Sequence, residues 1–374
     1  RLMMTKKKIS EQSNNDPLIA LFNEESSFTF DSFIDDSIQT ERKEGHPFNR
    51  DDHNVYFRKL YSDLINSGSS FDTYENYLKK GIKPTHIIFI DIPKNIKILK
   101  SPKLYGVKKI VFFSECALFK PWNYDDTYYD LFDYILTWSD EVLKKASNAI
   151  RINNHFCYTD ENLNNFNKYF SIKPKKLCVL IASNKNSTHP LELYSSRKSV
   201  LEWFEKNQSE HFDLYGYDWD KRYIRSPKIL RILNRLKIFT HIGSSPYKCY
   251  RGEVDSKIKT MANYKFSICF ENAKLISGYL TEKIFDSMIS GSVPVYLGDP
   301  DLEKHIPSSC YIKYDDFNSN DELFEYMLNM TNEEYNNYLE SIKSFLKGSY
   351  IKKYSALNFS EKFISYTSTN TCVF

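Results

Sequence analysis

No apolar run in this sequence of 374 residues approaches the roughly 18–20 residues needed to cross a bilayer. That argues against a membrane-spanning helix. Residues 1–15 are polar and lack the apolar core of a secretory signal. They read as a flexible lead-in, and the expectation is a cytoplasmic protein. Glycine and proline are scarce, 11 and 13, which argues against a fibrous or low-complexity chain. The seven cysteines (Cys116, Cys157, Cys178, Cys249, Cys269, Cys310 and Cys372) are odd in number and form no CxxC pair. They suggest neither a disulfide framework nor a zinc site, and fit a reducing compartment. The eight histidines show no HxH or HExxH spacing, so a zinc hydrolase is disfavoured. Without a GxGxxG or P-loop motif, a nicotinamide enzyme and a kinase are disfavoured too. The net charge of +3 is too balanced to imply a nucleic-acid partner by itself, although a phosphate-bearing small ligand needs only local cations.

What the sequence does contain is length enough for two cores and an abundance of Tyr and Phe, 28 and 27, most simply read as bulky core and strand residues. Near-continuous apolar runs mark candidate strands at Leu18–Phe22, His86–Asp91, Lys109–Ser114, Tyr134–Trp138, Leu177–Ser183, Phe212–Tyr215, Phe266–Phe270 and Val293–Leu297. Runs of this kind suit parallel strands buried on both faces. Segments with helical spacing, such as Val55–Ser67, Ser139–Ala149, Ser195–Asn207 and Thr281–Ser290, lie between them. The alternation predicts an α/β protein with doubly wound sheets. A polar stretch, Asn153–Lys176, interrupts the pattern, which places a boundary near residue 172. The expected organisation is a lead-in over 1–15, a first Rossmann-like domain over 16–172 and a second over 173–374, facing each other across a cleft.

The most informative stretch runs from Tyr264 to Pro300 and reads as strand, loop, helix, strand. The strand delivers Glu271 and Asn272 at its carboxyl end, where α/β proteins bind ligands. Thr281 reads as an N-cap, with Glu282 and Lys283 in the first helical turn. A cation there opposes the helix macrodipole at a cost of up to about 1 kcal/mol. One explanation is a solvated lysine paired with Glu282 or Asp286. The other, favoured by its place in a ligand crevice, is that Lys283 and the free N–H groups of the turn meet an anion such as a diphosphate. Glu282 could accept hydrogen bonds from paired sugar hydroxyls, or could simply be favourable helix-start charge.

The pattern FEN…GYLTEKIFD…G.VPVYLG resembles the signature of the GT10 fucosyltransferases in order, spacing and residue type over more than 30 residues. The resemblance implies a GT-B fold, two Rossmann-like doubly wound domains with the donor bound mainly by the second. It implies GDP-fucose as donor, a glycan acceptor, no tightly bound cofactor and no protein-bound divalent metal for donor binding. Carried over by residue, Lys283 would contact the donor diphosphate and Glu282 the donor hydroxyls, while Asn272 and Tyr279 would line the nucleotide-sugar pocket. Upstream, IASNKN…SSRKSVLEWF resembles the family's strand–loop–helix and makes Arg197 the second diphosphate cation; a surface arginine, or a register shifted to Lys198, is the alternative. Lys257 is a weaker candidate. Inverting transfer needs a base for the acceptor hydroxyl. Glu115 follows an apolar strand in KKIVFFSECALFKPWN, at a position where the family carries a glutamate; an ordinary loop glutamate is the alternative.

Asp299-Pro300-Asp301 has the form of a metal-binding DxD but reads as a turn, as do Asp125-Asp126 and Asp315-Asp316. In residues 226–239, Ile229, Ile232, Leu233 and Leu236 share one helical face and Lys228, Arg231 and Arg235 another. Such a helix packs its apolar face on its own domain or lies on anionic lipid at the cytoplasmic face. The functional expectation is an inverting transferase moving fucose from GDP-fucose to a glycan hydroxyl, in bacterial surface polysaccharide synthesis. The alternatives are a transferase using another nucleotide-activated sugar and a catalytically silent glycan-binding module. A nucleic-acid binder lacks any recognisable motif.

Overall fold

The computed structural model describes residues 16–22, 24, 55–153, 158, 165–174, 176–220 and 245–367. The lead-in over 1–15 and the basic amphipathic segment 226–239 lie outside the described residues. The chain divides into two compact units, 1–159 with 353–374, and 160–352.

The first unit contains a parallel sheet of β1 (Leu18–Phe22), β2 (Ser70–Thr73), β3 (His86–Ile90), β4 (Lys108–Phe112), β5 (Tyr134–Thr137) and β6 (Ala149–Arg151), in the order β2-β1-β3-β4-β5-β6. Its helices include α1 (Val55–Asn66), α2 (Tyr74–Lys79) and α3 (Asp140–Lys145). The strands alternate between two cores. Ile19, Leu21, Ile88, Ile110, Phe112 and Leu136 enter one. Ala20, Ile87, Phe89, Val111, Phe113 and Ile135 enter the other. Burial on both faces is why these strands read as unbroken apolar runs rather than as alternating ones.

The second unit holds a parallel sheet of β7 (Lys176–Ile181), β8 (Phe212–Tyr215), β9 (Tyr264–Phe270), β10 (Val293–Leu297) and β11 (Ile312–Lys313), in the order β11-β10-β9-β7-β8. Around it come α4 (Asn167–Phe170), α5 (Tyr194–Asn207), α6 (Lys257–Met261), α7 (Glu282–Ser290), α8 (Asn320–Asn329) and α9 (Asn332–Lys347). Both sheets are doubly wound. The strand order reverses between β1 and β3 in the first and between β7 and β9 in the second. At such a switch point the connections leave on opposite faces, and a crevice opens beyond the carboxyl ends of the strands.

The eight strands expected from apolar runs are all present, with ends shifted by at most two residues. The expectation omitted β2, β6 and β11, which are short and end in polar or charged residues. A larger difference concerns the end of the chain. The boundary expected near residue 172 falls at 159/160, and the last helix α10 (Ala356–Thr367), expected in the second domain, completes the first unit. The reason is its apolar face. Phe359 and Phe363 are buried against Phe112, and Phe359 also meets Phe57 of α1. The Ser360 hydroxyl donates to Asp63 at 2.6 Å, and the Lys362 ammonium donates to the Arg151 carbonyl at 2.7 Å.

Phe359 is thus a core residue of the first unit, 1% exposed. Phe359→Ala should lower stability by about 3–5 kcal/mol, through lost burial and a residual cavity. The shift in urea midpoint measures this, and an unchanged midpoint would mean that α10 does not close this face.

Candidate active site

Five of the six sequence-derived candidates meet beyond the carboxyl ends of β7 and β9, at the switch point of the second sheet. The loops that leave these two strands are stitched together by backbone. The Leu193 N–H donates to the Asn272 carbonyl at 3.0 Å and the Lys274 N–H to the Leu191 carbonyl at 2.9 Å. Glu192 and Ala273 form an antiparallel bridge between them.

β9 is buried almost throughout and runs directly into Glu271, whose exposure is 0%. A buried carboxylate must be met by donors. Glu271 Oε1 accepts the Thr281 N–H at 2.9 Å, and Oε2 accepts the Thr281 hydroxyl at 2.6 Å and Lys283 Nζ at 3.2 Å. Lys283 Nζ also donates to Thr281 Oγ1 at 2.9 Å. Thr281 does occupy the N-cap position of α7, but its side chain does not cap the helix; the hydroxyl is committed to Glu271. This network explains how a cation is tolerated in the first turn, because the buried carboxylate of Glu271 lies 3.2 Å from it. Lys283 keeps partial exposure, 22% for its side chain.

Glu282, also partly exposed, stands between two lysines, with Oε1 3.5 Å from Lys257 Nζ and 3.8 Å from Lys283 Nζ. Lys257 is held more closely by Asp286, at 2.8 Å.

Arg197 is no surface residue. On α5 it is 5% exposed and turned onto the end of β9, while its neighbour Lys198 pairs with Glu202 one helical turn away. The guanidinium donates from Nε and Nη2 to the Phe270 carbonyl at 3.1 and 2.7 Å. From Nη2 it also reaches the Glu271 carbonyl at 2.6 Å and Asn272 Oδ1 at 2.9 Å. Nη1 makes no hydrogen bond to a described residue. Burial draws the pKa of this group down, and Tyr194, Glu271, Tyr279 and Glu282 oppose that shift. Asn272 uses its other amide atom to donate to the Tyr279 hydroxyl at 3.3 Å. Tyr279 itself is 1% exposed, so it stands behind Asn272 rather than on an open surface.

The DxD-like pair is engaged in the same loop system. Asp299 accepts the Gly278 N–H at 3.0 Å and the Asp301 N–H at 2.8 Å, while Asp301 accepts the Ser277 hydroxyl at 2.7 Å. Glu115, the sixth candidate, belongs to the first unit, half-buried just past β4; its carbonyl accepts the Tyr124 hydroxyl at 3.3 Å. Glu271, at the end of the expected strand, is a functional residue outside the six sequence-derived candidates. The available signal was a glutamate terminating an otherwise apolar, buried strand.

Residues 218–359 match the model of the glycosyltransferase family 10 (fucosyltransferase) C-terminal domain. The chain is 36% identical over 74 residues to an α-(1,3)-fucosyltransferase of Helicobacter pylori, covering 20% of this chain and 15% of that protein. It is 37% identical over 92 residues to 4-galactosyl-N-acetylglucosaminide 3-α-L-fucosyltransferase 9 of Mus musculus, covering 24% and 25%. The matched stretches thus span a quarter or less of these curated relatives. A crystal structure of an α1,3-fucosyltransferase superposes with a TM-score of 0.54 at 17% identity, covering 98% of this chain and 93% of that one. A crystal structure of an α1,3-fucosyltransferase with GDP-fucose gives 0.51 at 16% identity, covering 98% and 95%. A glycosyltransferase structure from Rickettsia africae gives 0.53 at 10% identity, covering 96% and 100%. At these identities the likeness is one of fold, and the fold is the expected GT-B type.

The close packing around Glu271 requires a glycine opposite it. A Cβ on Gly298 would stand 2.6 Å from Glu271 Cγ and 2.7 Å from the Tyr296 hydroxyl oxygen, both buried. Gly298→Ala should therefore cost about 1–3 kcal/mol of stability through overpacking. Urea denaturation measures it, and a wild-type midpoint would show that Glu271 can move aside freely.

Proposed function

We propose that the chain is a member of glycosyltransferase family 10, the fucosyltransferases, on the match across residues 218–359, and that it transfers fucose from GDP-fucose, with inversion, to a hydroxyl of a glycan acceptor. The observation that carries this reading is the convergence of Arg197 and Lys283 on one buried strand end, where Glu271 and the carbonyls of β9 hold them. In this reading the diphosphate of the donor meets Nη1 of the Arg197 guanidinium and the ammonium of Lys283. A planar fork suits phosphate oxygens, and a partly exposed lysine adds a point charge. The first turn of α7 contributes the positive end of its dipole. Glu282 accepts hydrogen bonds from donor hydroxyls, and Asn272, backed by Tyr279, lines the nucleotide-sugar pocket.

Glu115 takes the proton of the acceptor hydroxyl as that oxygen bonds to the anomeric carbon. The bond from that carbon to the diphosphate breaks on the opposite face, and GDP leaves with the electron pair. Arg197 and Lys283 stabilise the charge that develops on it. No cofactor or metal held by the protein takes part in this scheme. The support for GDP-fucose is the family match together with the shared fold of a fucosyltransferase described with that donor.

An acceptor in bacterial surface polysaccharide and a cytoplasmic site of action complete the proposal. In support, the described cysteines Cys116, Cys178, Cys249, Cys269 and Cys310 are all buried and none lies in a disulfide. Among the described residues no helix is long and apolar enough to cross a membrane. Peripheral contact would then run through 226–239.

Glu115→Gln should cut turnover of GDP-fucose by roughly 10²–10⁴ while GDP affinity stays near wild type; Lys283→Ala should weaken both. GDP release measured across a panel of nucleotide sugars, with glycan acceptors present, tests the donor assignment at the same time. Full turnover by Glu115→Gln would remove the base, and a stronger response to another nucleotide sugar would replace the donor. For the membrane contact, flotation with anionic liposomes should retain the wild type and lose the Arg231→Glu/Arg235→Glu double variant; equal flotation of the two would rule it out.

A further inference from the structure

β3 ends at Ile90, and the next residue, Asp91, holds the backbone in the left-handed region at φ 61°. This conformation is uncommon for a residue other than glycine, and when it persists the surroundings must enforce it. At Asp91 they do so through its carboxylate, which is 3% exposed. Oδ1 accepts the Ser114 N–H at 2.8 Å, the Glu115 N–H at 3.4 Å and Asn123 Nδ2 at 2.7 Å. Oδ2 accepts the Ser114 hydroxyl at 2.6 Å. Asn123, with 0% exposure, accepts the Ile92 N–H at 2.9 Å on its side-chain oxygen and the Tyr129 hydroxyl at 3.0 Å on its carbonyl. Trp122 Nε1 donates to the Ile92 carbonyl at 2.6 Å. One buried carboxylate therefore ties together the turn after β3, the turn after β4 that carries Glu115, and the segment around Asn123.

The topology supplies a second, independent observation. The order β2-β1-β3-β4-β5 in the first unit repeats as β8-β7-β9-β10-β11 in the second. Asp91 follows β3 as Glu271 follows β9. The Asp91 N–H donates to the Phe112 carbonyl at the end of β4 at 2.9 Å; the Glu271 N–H donates to the Leu297 carbonyl at the end of β10 at 2.8 Å. Each unit thus places a buried carboxylate beside its switch point and uses it to fix a neighbouring loop. In the second unit what is fixed is Lys283.

We propose that Asp91 is the positioning residue for Glu115, setting the backbone from which the Glu115 side chain reaches the acceptor hydroxyl. This rests on the assignment of Glu115 as base. Asp91 does not touch substrate. It acts by clamping the two amides that lead into Glu115, so that the carboxylate meets the acceptor in one geometry.

The test uses the full chain, GDP-fucose as donor and N-acetyllactosamine as acceptor probe, with GDP release as readout. Asp91→Asn keeps an oxygen for the three N–H donors and tolerates the left-handed backbone, and should lower kcat about 10-fold; Asp91→Ala, which removes every contact of the carboxylate, should lower it about 100-fold. In both, the KM for GDP-fucose and the Kd for GDP should remain within about twofold of wild type, since the second unit is untouched. A purely structural role would lower the denaturation midpoint and leave kcat per folded molecule unchanged, which would overturn the proposal. If Asp91→Ala does not fold, Ser114→Ala, which deletes only the hydroxyl contact, should still lower kcat at least about threefold, with wild-type GDP affinity. Wild-type kcat in the folded variants would sink the role of Asp91 alone. A wild-type protein that releases no GDP would instead overturn the transferase reading beneath it.

Discussion

Glu271 ends a strand inside the protein, and a carboxylate in that position cannot stay in the fold without donors around it. Those donors are the amide and hydroxyl of Thr281 and the ammonium of Lys283. Satisfying one buried charge therefore fixes where α7 begins and where its first-turn lysine stands. From the other side, Arg197 grips the carbonyls of the same strand end and the side chain of Asn272. The two cations do not depend on each other directly. They are brought to one place because both are bound to the end of β9, at the point where the sheet changes winding direction and leaves a crevice.

The same constraint operates in the first unit with a different outcome. Asp91 also follows the third strand of its sheet, is buried, and also receives amide and hydroxyl donors from a neighbouring loop. Burial raises its pKa, while the bonds from Ser114 and Asn123 act in the opposite direction. The loop it organises carries an acid instead of a lysine. A fold that places a chain reversal beyond every parallel strand needs something to hold those reversals still. Here each of two equivalent positions uses a carboxylate that can accept several backbone donors at once.

Backbone strain gathers in these same turns. Asp91 and Leu275 both adopt positive φ, 61° and 59°, and among the described non-glycine residues Asp218, in the turn beyond β8, does so as well, at 67°. Leu275 lies in the loop between β9 and α7, is 62% exposed, and is held by its N–H bond to the Gly298 carbonyl at 3.1 Å. Such conformations survive only where the neighbours over-determine them. The regular elements carry no comparable outlier among the described residues. Stability from the cores and strain in the carboxyl-end loops are thus separated along β3, β8 and β9, with rigid strands delivering their last residues into constrained turns.

The sequence by itself determined the central strands, because burial on both faces demands unbroken apolar runs that can be read without a structure. It also determined the segment from Phe270 to Gly298, where order and spacing carry the family resemblance and where Asn272, Tyr279, Glu282 and Lys283 are close in the chain. Edge strands such as Ser70–Thr73 were not legible, since one covered side leaves no continuous apolar pattern. The owner of the last helix was not legible either, because an apolar face with Phe359 and Phe363 does not say which sheet it will cover. Only the tertiary structure decided what Glu271 and Asp91 hold, and that Arg197 rather than Lys198 turns inward. Arg197 lies 73 residues from the carbonyl of Phe270 that it binds, and Asp91 lies 32 from Asn123. A local pattern fixes which residues are adjacent on one element, whereas hydrogen bonds between the ends of different strands exist only once the sheet has set their order.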